Sequence, residues 1–215
     1  MGAQQAVPKR ALVVIDVQNE YFSGNLCIEY LDVDLSLANI CKAMDAARAT
    51  GISVVVVQHV GPESSPIAGR GSKGAELHPR ITERHCDVLI EKNKTSALNG
   101  TVLGTWLRER EIDTLTVVGY MTHNCVTATT LQAAQEGWRV ELLHDACGSV
   151  SYANAAGSAT AEEIHRVYTV VMHTGFAAVA TTAQWLSAVN SGEALVADNI
   201  FHSNQRALTA QAGGK

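Results

Sequence analysis

The chain has 215 residues, of which 47% are hydrophobic and 5% aromatic, and its formal net charge is −5. These values are typical of one globular domain large enough to bury a core. The mild acidic charge, without a basic stripe, argues against nucleic acid as a partner. The longest strongly apolar run, at 52–57, is far too short to cross a bilayer, and the first ten residues lack the apolar core of a signal peptide. We therefore expect a cytoplasmic protein that needs no membrane.

Six short apolar runs predict β-strands along the chain. Such continuous runs are typical of strands covered on both faces, as in parallel sheets. The predicted strands lie at 11–16, 52–58, 87–91, 114–118, 140–143 and, more weakly, 176–179.

Helical periodicity fills the gaps between these runs. Apolar residues at helical spacing predict helices at 35–50, 102–110, 125–136, 161–173 and 182–189. Thr160 and Glu163 are spaced for a capping box at the start of the fourth helix. Strands and helices that alternate in this way predict an α/β fold with three α/β/α layers, Rossmann-like, around a mostly parallel sheet of about six strands. We expect a single domain over 1–215 with its core at about 11–190.

Two stretches carry no regular pattern. The segment 61–82 has three prolines and four glycines, and a loop of that length in a compact domain is usually functional or mobile. The polar tail at 191–215 is expected to be irregular, either poorly ordered or in contact with a neighbouring subunit.

Three predicted strand ends deliver reactive side chains to one rim of the sheet. The first strand ends at Asp16, the third runs into Lys92, and the fourth leads through a short turn to Cys125. Ligands of open parallel sheets bind outside these carboxyl ends. Each residue also has a plainer interpretation, since an aspartate can cap a turn, a lysine is usually solvated and a cysteine is usually a buried hydrophobe.

The five cysteines have wide, irregular spacing and form no CxxC pair, so we expect free thiols. A nearby cation and a helix N-terminus both favour a thiolate, and Cys125 is predicted to have both. The turn 119–125 before it would also point backbone N–H groups at one spot, where they can hold an oxyanion.

Three segments of the sequence resemble a known protein family. The segments ALVVIDVQNEYF, EKNKTSA with NGTVLGTWL, and VVGYMTHNCVTATTLQAAQEGWRVELLHDAC resemble the isochorismatase-like cysteine hydrolase superfamily, which includes nicotinamidases and N-carbamoylsarcosine amidases. The resemblance runs from about residue 11 to 180. It implies a catalytic triad of Asp16, Lys92 and Cys125. Lys92 is preferred to Lys94 because it stands four residues before Ser96, as the family motif requires.

The resemblance has further implications. It places a non-proline cis peptide at Tyr120-Met121 and an oxyanion hole made by the backbone N–H groups of Met121 and Cys125. It also implies a homodimer or homotetramer. The chain departs from the family where Leu98 stands in place of the usual phenylalanine, which would reshape the pocket.

Other motifs compete with this interpretation. The glycines at 69, 71 and 74 match GxGxxG, but the motif does not directly follow a strand, so a dinucleotide site is disfavoured. A single Glu162-x-x-His165 is too little for a di-iron site. The second strand is followed by His59 without another histidine at ligand spacing, so we predict no metal and no cofactor.

The predicted function is cysteine-dependent hydrolysis of a small-molecule amide or related C–N bond through a thioester on Cys125. Two alternatives stay open: an isochorismatase that cleaves a vinyl ether by protonation from Asp16, and a non-catalytic small-molecule binder. The candidate substrate-binding residues are Gln18, Phe22, His59 and Tyr120.

Overall fold

A six-stranded parallel sheet organises the chain in the computed structural model, which describes residues 7–213. The described residues form eight strands. They are β1 (Arg10–Ile15), β2 (Ser53–His59), β3 (Val88–Lys92), β4 (Thr114–Tyr120), β5 (Arg139–Gly148), β6 (Tyr152–Asn154), β7 (Gly157–Ala159) and β8 (Ala178–Ala180). All but β6 and β7 belong to the parallel sheet. The sheet order is β3-β2-β1-β4-β5-β8, with every neighbouring pair parallel. All six predicted strands are present. The antiparallel hairpin of β6 and β7 was not predicted.

Eight α-helices surround or extend from the sheet in the described part of the chain. They are α1 (Glu20–Ser23), α2 (Val33–Ala49), α3 (Pro79–Thr82), α4 (Leu103–Glu109), α5 (Thr127–Gln135), α6 (Ala161–His173), α7 (Thr182–Ser191) and α8 (Ile200–Gly213). A 3-10 turn (Lys73–Ala75) and a π-helical turn (Thr122–Val126) complete the set. The predicted capping box at Thr160 and Glu163 is confirmed.

Alternate side chains of β1 enter two separate cores, one on each face of the sheet. Leu12 and Val14 pack with α2 and with Trp185 of α7, whereas Val13 and Ile15 pack with side chains of α4, α5 and α6. Because strand side chains point alternately to opposite faces, a strand buried on both sides is apolar along most of its length, and in β1 only Arg10 departs from this pattern. The three-layer α/β/α prediction is confirmed.

The chain builds the sheet outward in two directions from β1. It first forms β2 and β3 on one side and then crosses to β4 on the other. In parallel sheets this reversal opens a crevice at the carboxyl ends of the two central strands. The crevice between β1 and β4 is therefore where the fold offers a site.

A buried ion pair ties the opposite end of the sheet together. Arg10 donates to both carboxylate oxygens of Glu141, which also accepts from Thr116 and from the Trp185 indole. Both charged side chains are almost fully buried. Paired in this way, the charges keep their hydrogen bonds in the absence of water.

The tail differs from the expectation of irregular structure. Residues 200–213 form helix α8, which carries exposed apolar side chains at Ile200, Phe201 and Leu208. Within residues 7–213, none of the helices is both long and apolar enough to cross a membrane.

Candidate active site

The structure brings Asp16, Lys92 and Cys125 together at the carboxyl end of the sheet. Asp16 directly follows β1, Lys92 is the last residue of β3, and Cys125 lies in the π-helical turn after β4. The Lys92 Nζ atom is 2.7 Å from Asp16 Oδ2 and 3.2 Å from Cys125 Sγ. Lys92 therefore reaches across β2 and connects the carboxylate to the thiol.

The backbone at Asp16 is unusual for a non-glycine residue. Its φ is +52°, in the left-handed region, while its N–H donates to the carbonyl of Val57 at 2.9 Å. Aspartate is among the residues that tolerate this conformation. After this bond the chain turns sharply away from β2, so Asp16 lies where the crevice between β1 and β4 opens.

Cys125 occupies a different helical position from the predicted one. The helical segment begins at Thr122, so Cys125 is the fourth residue of a π-helical turn that continues into α5. A π-helical turn of this kind often occurs at functional sites. The cis peptide implied at Tyr120-Met121 is present, and a second one, not predicted, joins Tyr30 and Leu31.

The triad is shielded from solvent. The side chains of Asp16 and Lys92 have no exposed surface, and Cys125 is 6% exposed. The close ion contact between Asp16 and Lys92 is not aligned as a hydrogen bond, and neither carboxylate oxygen has an aligned donor among the described residues. A buried carboxylate is seldom left without aligned donors, and this one is held by the Lys92 charge while its lone pairs can still accept a proton.

Burial dominates the protonation equilibria of the site. It raises the pKa of the Asp16 carboxyl above its ordinary value, an effect that the Lys92 charge only partly offsets. Burial alone would lower the pKa of Lys92, but the charges of Asp16 and Cys125 outweigh it and raise that pKa. Lys92 therefore carries its proton at neutral pH.

The Cys125 thiol differs from the expectation. Burial, with the Asp16 charge, raises its pKa to about 12, and Lys92 compensates only in part. Lys92 lowers this pKa in the predicted direction, but desolvation penalises the charged form more strongly, an effect that the prediction did not include. At rest the sulfur carries its proton and stands next to a carboxylate that lacks an aligned donor.

Two of the predicted substrate-binding residues are tied to the protein itself. The Gln18 amide donates to the carbonyls of His59 and Ala75 and accepts from the His59 N–H. Tyr120 is fully buried, and its hydroxyl lies 2.8 Å from Ser36 Oγ on α2. As substrate contacts, both residues stay predictions.

The other two candidates lie closer to the open side. The His59 Nδ1 atom is 3.4 Å from Lys92 Nζ, and burial lowers the pKa of this histidine. The ring of Phe22 lies 4.3 Å from that of His78, measured between centroids, and 5.8 Å from that of Tyr120. They too stay predictions as substrate contacts.

Sequence reasoning missed the role of the hairpin after β5. His123, two residues before Cys125, contacts Ser149 Oγ at 3.2 Å and the Tyr152 hydroxyl at 2.9 Å. His123 and Tyr152 line a depression of about 330 Å³ together with Tyr168. The hairpin could not be found from periodicity because its strands are only three residues long.

A buried glutamate, also missed, anchors the segment 61–82. The Glu20 carboxylate accepts from the Asn25 N–H at 2.6 Å and the Ala68 N–H at 3.1 Å. A β carbon on Gly74 would lie 2.4 Å from the same carboxylate. At this position the GxGxxG pattern reflects packing against Glu20, which agrees with the low weight given to a dinucleotide site.

No group of three or more histidine, cysteine, aspartate or glutamate side chains is placed to hold a metal within residues 7–213. The five cysteines are all free thiols. The absence of a metal and a cofactor stays a prediction.

Comparison with known proteins assigns the family. Residues 10–184 match the isochorismatase domain model, so the chain belongs to the isochorismatase family and is a hydrolase of that family. The crystal structure of an isochorismatase-like protein from Burkholderia xenovorans LB400 is 57% identical, with a TM-score of 0.95 over 96% of this chain and 100% of that one.

Two relatives have names that state an activity. The secreted isochorismatase effector Isc1 of Verticillium dahliae is 34% identical over 64% of this chain and 71% of its own length. The nicotinamidase of Escherichia coli is 28% identical over 67% of this chain and 85% of its own length. The relatives of this chain thus include one named as an isochorismatase and one named as a nicotinamidase.

Proposed function

We propose that the protein hydrolyses a small-molecule amide or related C–N bond through a thioester on Cys125. The observation that supports this most directly is the position of Lys92 Nζ, 2.7 Å from Asp16 and 3.2 Å from the Cys125 sulfur. A protonated thiol next to a carboxylate without an aligned donor is a nucleophile paired with its general base.

In the first half-reaction, Asp16 accepts the thiol proton as the sulfur bonds to the substrate carbonyl carbon. Lys92 stabilises the negative charge that moves between these two groups. The backbone N–H groups of Met121 and Cys125 bind the oxyanion of the tetrahedral intermediate. When the C–N bond breaks, Asp16 returns the proton to the departing nitrogen, which leaves as ammonia or an amine.

The second half-reaction releases the acid. Asp16, again a carboxylate, accepts a proton from water as the water oxygen attacks the thioester carbonyl. The C–S bond then breaks, and the sulfur recovers its proton from Asp16. A raised thiol pKa suits this cycle because proton transfer is coupled to attack and the resting enzyme holds no reactive thiolate.

The test is a screen for ammonia release from small amides, ureas and ureido acids, followed by intact-mass detection of an acyl-enzyme. We expect Cys125→Ala to lower turnover on the order of 10⁴-fold or more. Cys27→Ala is the matched control, because it removes an exposed thiol outside the site. Undiminished turnover by Cys125→Ala would exclude the thioester route.

The second candidate is isochorismatase activity, which the relationship to Isc1 favours. That reaction needs a proton from Asp16 but no sulfur nucleophile. Isochorismate is therefore included in the screen. Cleavage that survives Cys125→Ala and is lost in Asp16→Asn would favour this candidate, whereas binding without turnover by any substrate would favour a non-catalytic binder.

We also propose that the protein forms a homodimer or homotetramer. Helix α8 exposes 72% of Ile200 and 66% of Phe201, and α6 exposes Val167, Val170 and Val171 on one face. Isolated helices of this length are marginal in water, so α8 is expected to pack against something. Sedimentation of the full chain and of a chain ending at Ser191 tests this: a monomer in both cases contradicts it. The cytoplasmic location stays a prediction.

A further inference from the structure

A buried histidine contacts the turn that carries the proposed nucleophile. His165, on α6, is 4% exposed, and its Nδ1 atom lies 2.9 Å from Thr122 Oγ1. Its Nε2 atom has no hydrogen-bond partner among the described residues. The proposed reaction uses neither nitrogen.

The hydrogen-bond network around Thr122 is the basis for assigning the proton of the His165 ring. The Gly148 carbonyl can only accept, so the single proton of Thr122 Oγ1 is assigned to that bond, at 3.1 Å. With this assignment the hydroxyl accepts from His165, and the neutral ring carries its proton on Nδ1. Burial, with His144 and His123 nearby, lowers the pKa of His165 to about 4, which keeps the ring neutral.

Thr122 connects this histidine to the nucleophile. It is fully buried and is the first residue of the π-helical turn that contains Cys125. Its carbonyl accepts from the Thr127 hydroxyl at 2.6 Å, where α5 begins. The Thr122 side chain thus links the start of this turn to β5 and α6, and the Thr122 carbonyl links it to the start of α5.

We infer that His165 is a positioning residue for Cys125, which acts by donating from Nδ1 to Thr122 and so fixes the turn that aims the sulfur at Lys92 and the substrate. Its effect on catalysis rests on the proposed function, but its effect on Cys125 does not.

An apolar side chain would fill the same space without the cost of a buried, unpaired nitrogen. Burying a polar atom without a partner destabilises a fold. The ring also packs edge-on against Tyr30, with the centroids 5.5 Å apart, a contact that needs no nitrogen. The bond to Thr122 is therefore the contact for which a histidine is needed here.

The first experiment separates the effect of the hydrogen-bond donor of His165 from the effect of its side-chain volume. An asparagine side chain can place its amide nitrogen near the position of Nδ1, whereas leucine keeps apolar volume and loses the donor. We expect His165→Leu to lower both the rate of iodoacetamide labelling at Cys125 and kcat by about tenfold, the typical effect of one lost hydrogen bond to a poised group. His165→Asn should restore most of both rates, and KM should change little.

The control lies on the same helix. Among residues 7–213, the Thr169 hydroxyl has hydrogen bonds to two carbonyls, those of His165 and Arg166 in its own helix. Thr169→Val removes a half-buried hydroxyl that has no hydrogen bond to the turn that carries Cys125. We expect iodoacetamide to label Cys125 at the normal rate in this variant. Equal losses in His165→Leu and His165→Asn would overturn the inference.

A second route remains informative if His165→Leu folds poorly. Thr122→Ser keeps the hydroxyl and Thr122→Val removes it, so only the valine variant should slow labelling. In the double variant, His165→Leu should add little to the loss caused by Thr122→Val, because the valine has already removed the bond that His165 makes. Additive losses contradict a role through Thr122.

Labelling also separates this inference from the proposed function. If no amide is hydrolysed but labelling at Cys125 still depends on His165, the proposed function fails and the positioning role stands. If amides are hydrolysed and neither rate depends on His165, the positioning role fails alone.

Discussion

A β carbon on Gly119 would lie 2.0 Å from the carbonyl oxygen of Ile15, a separation that no side chain can adopt. Gly119 also has a φ of +112°, in the region that favours glycine. Since Ile15 precedes Asp16, this contact sets how closely β4 approaches the proposed base. Glycine at this position lets the nucleophile turn lie directly beside the end of β1.

Gly119→Ala should therefore destabilise the protein by about 3 kcal/mol or more, the combined effect of overpacking and a strained φ. Urea unfolding measures this change. Gly137→Ala is the control, because Gly137 has a φ of +94° with nothing within 4 Å of its β carbon position. Its cost should be only about 1 kcal/mol. Similar losses in both variants would show that the contact with Ile15 is unimportant.

Asp16→Asn should separate sulfur reactivity from turnover. The Asp16 charge raises the pKa of the Cys125 thiol, whereas Lys92 lowers it. Asp16→Asn removes one of the two influences that raise this pKa, while burial remains and Lys92 still lowers it, so the pKa falls and iodoacetamide labels Cys125 faster at pH 7. Amide turnover should nevertheless fall by about 10²-fold or more, because the general base is gone. Slower labelling together with lost turnover would contradict this account of the thiol.

Lys92→Met should be strongly destabilising. Removing one partner of a buried ion pair leaves an uncompensated charge and costs about 3–5 kcal/mol. The double variant with Asp16→Asn removes that charge and should recover most of the loss in urea unfolding, while hydrolysis stays abolished. Lys94→Met is the control, because Lys94 is exposed and contributes only its backbone carbonyl to Lys92. No recovery in the double variant would argue against the ion pair.

Acid should destabilise the protein through the buried His165 and the half-buried His123. Burial lowers the pKa of both His123 and His165 to about 4, from an ordinary value near 6.5. The unfolded chain therefore binds protons first as the pH falls, so the stability present above pH 6.5 is lost between about pH 6.5 and 4. For His165 we expect roughly 2 kcal/mol across this window, since partial solvent screening reduces the ideal value.

Urea midpoints at pH 7.5, 6.0 and 5.0 measure this loss. His165→Asn should flatten the dependence, because asparagine does not titrate. The exposed His85→Asn should leave it unchanged. A wild-type protein whose stability is constant from pH 7.5 to 5.0 contradicts the prediction.

Continuous apolar runs were sufficient to locate all six strands of the main sheet and hence the rim at which Asp16, Lys92 and Cys125 meet. They could not reveal the β6–β7 hairpin or helix α8, because short strands and a largely polar helix leave weak periodic signals. Nothing in the sequence likewise distinguishes Glu20 from an ordinary charged residue. Only the tertiary structure brings the Ala68 N–H of the segment 61–82 to its carboxylate, which also accepts from the nearby Asn25 N–H.

By itself the sequence determined the order of strands and helices and the residue types at the strand ends, because these follow from the local alternation of apolar and polar residues. Only the tertiary structure decided the protonation of the site and the partners of His165. Desolvation and hydrogen bonding depend on atoms from distant parts of the chain, and their sum raised the pKa of Cys125 where its near neighbours alone suggested the reverse.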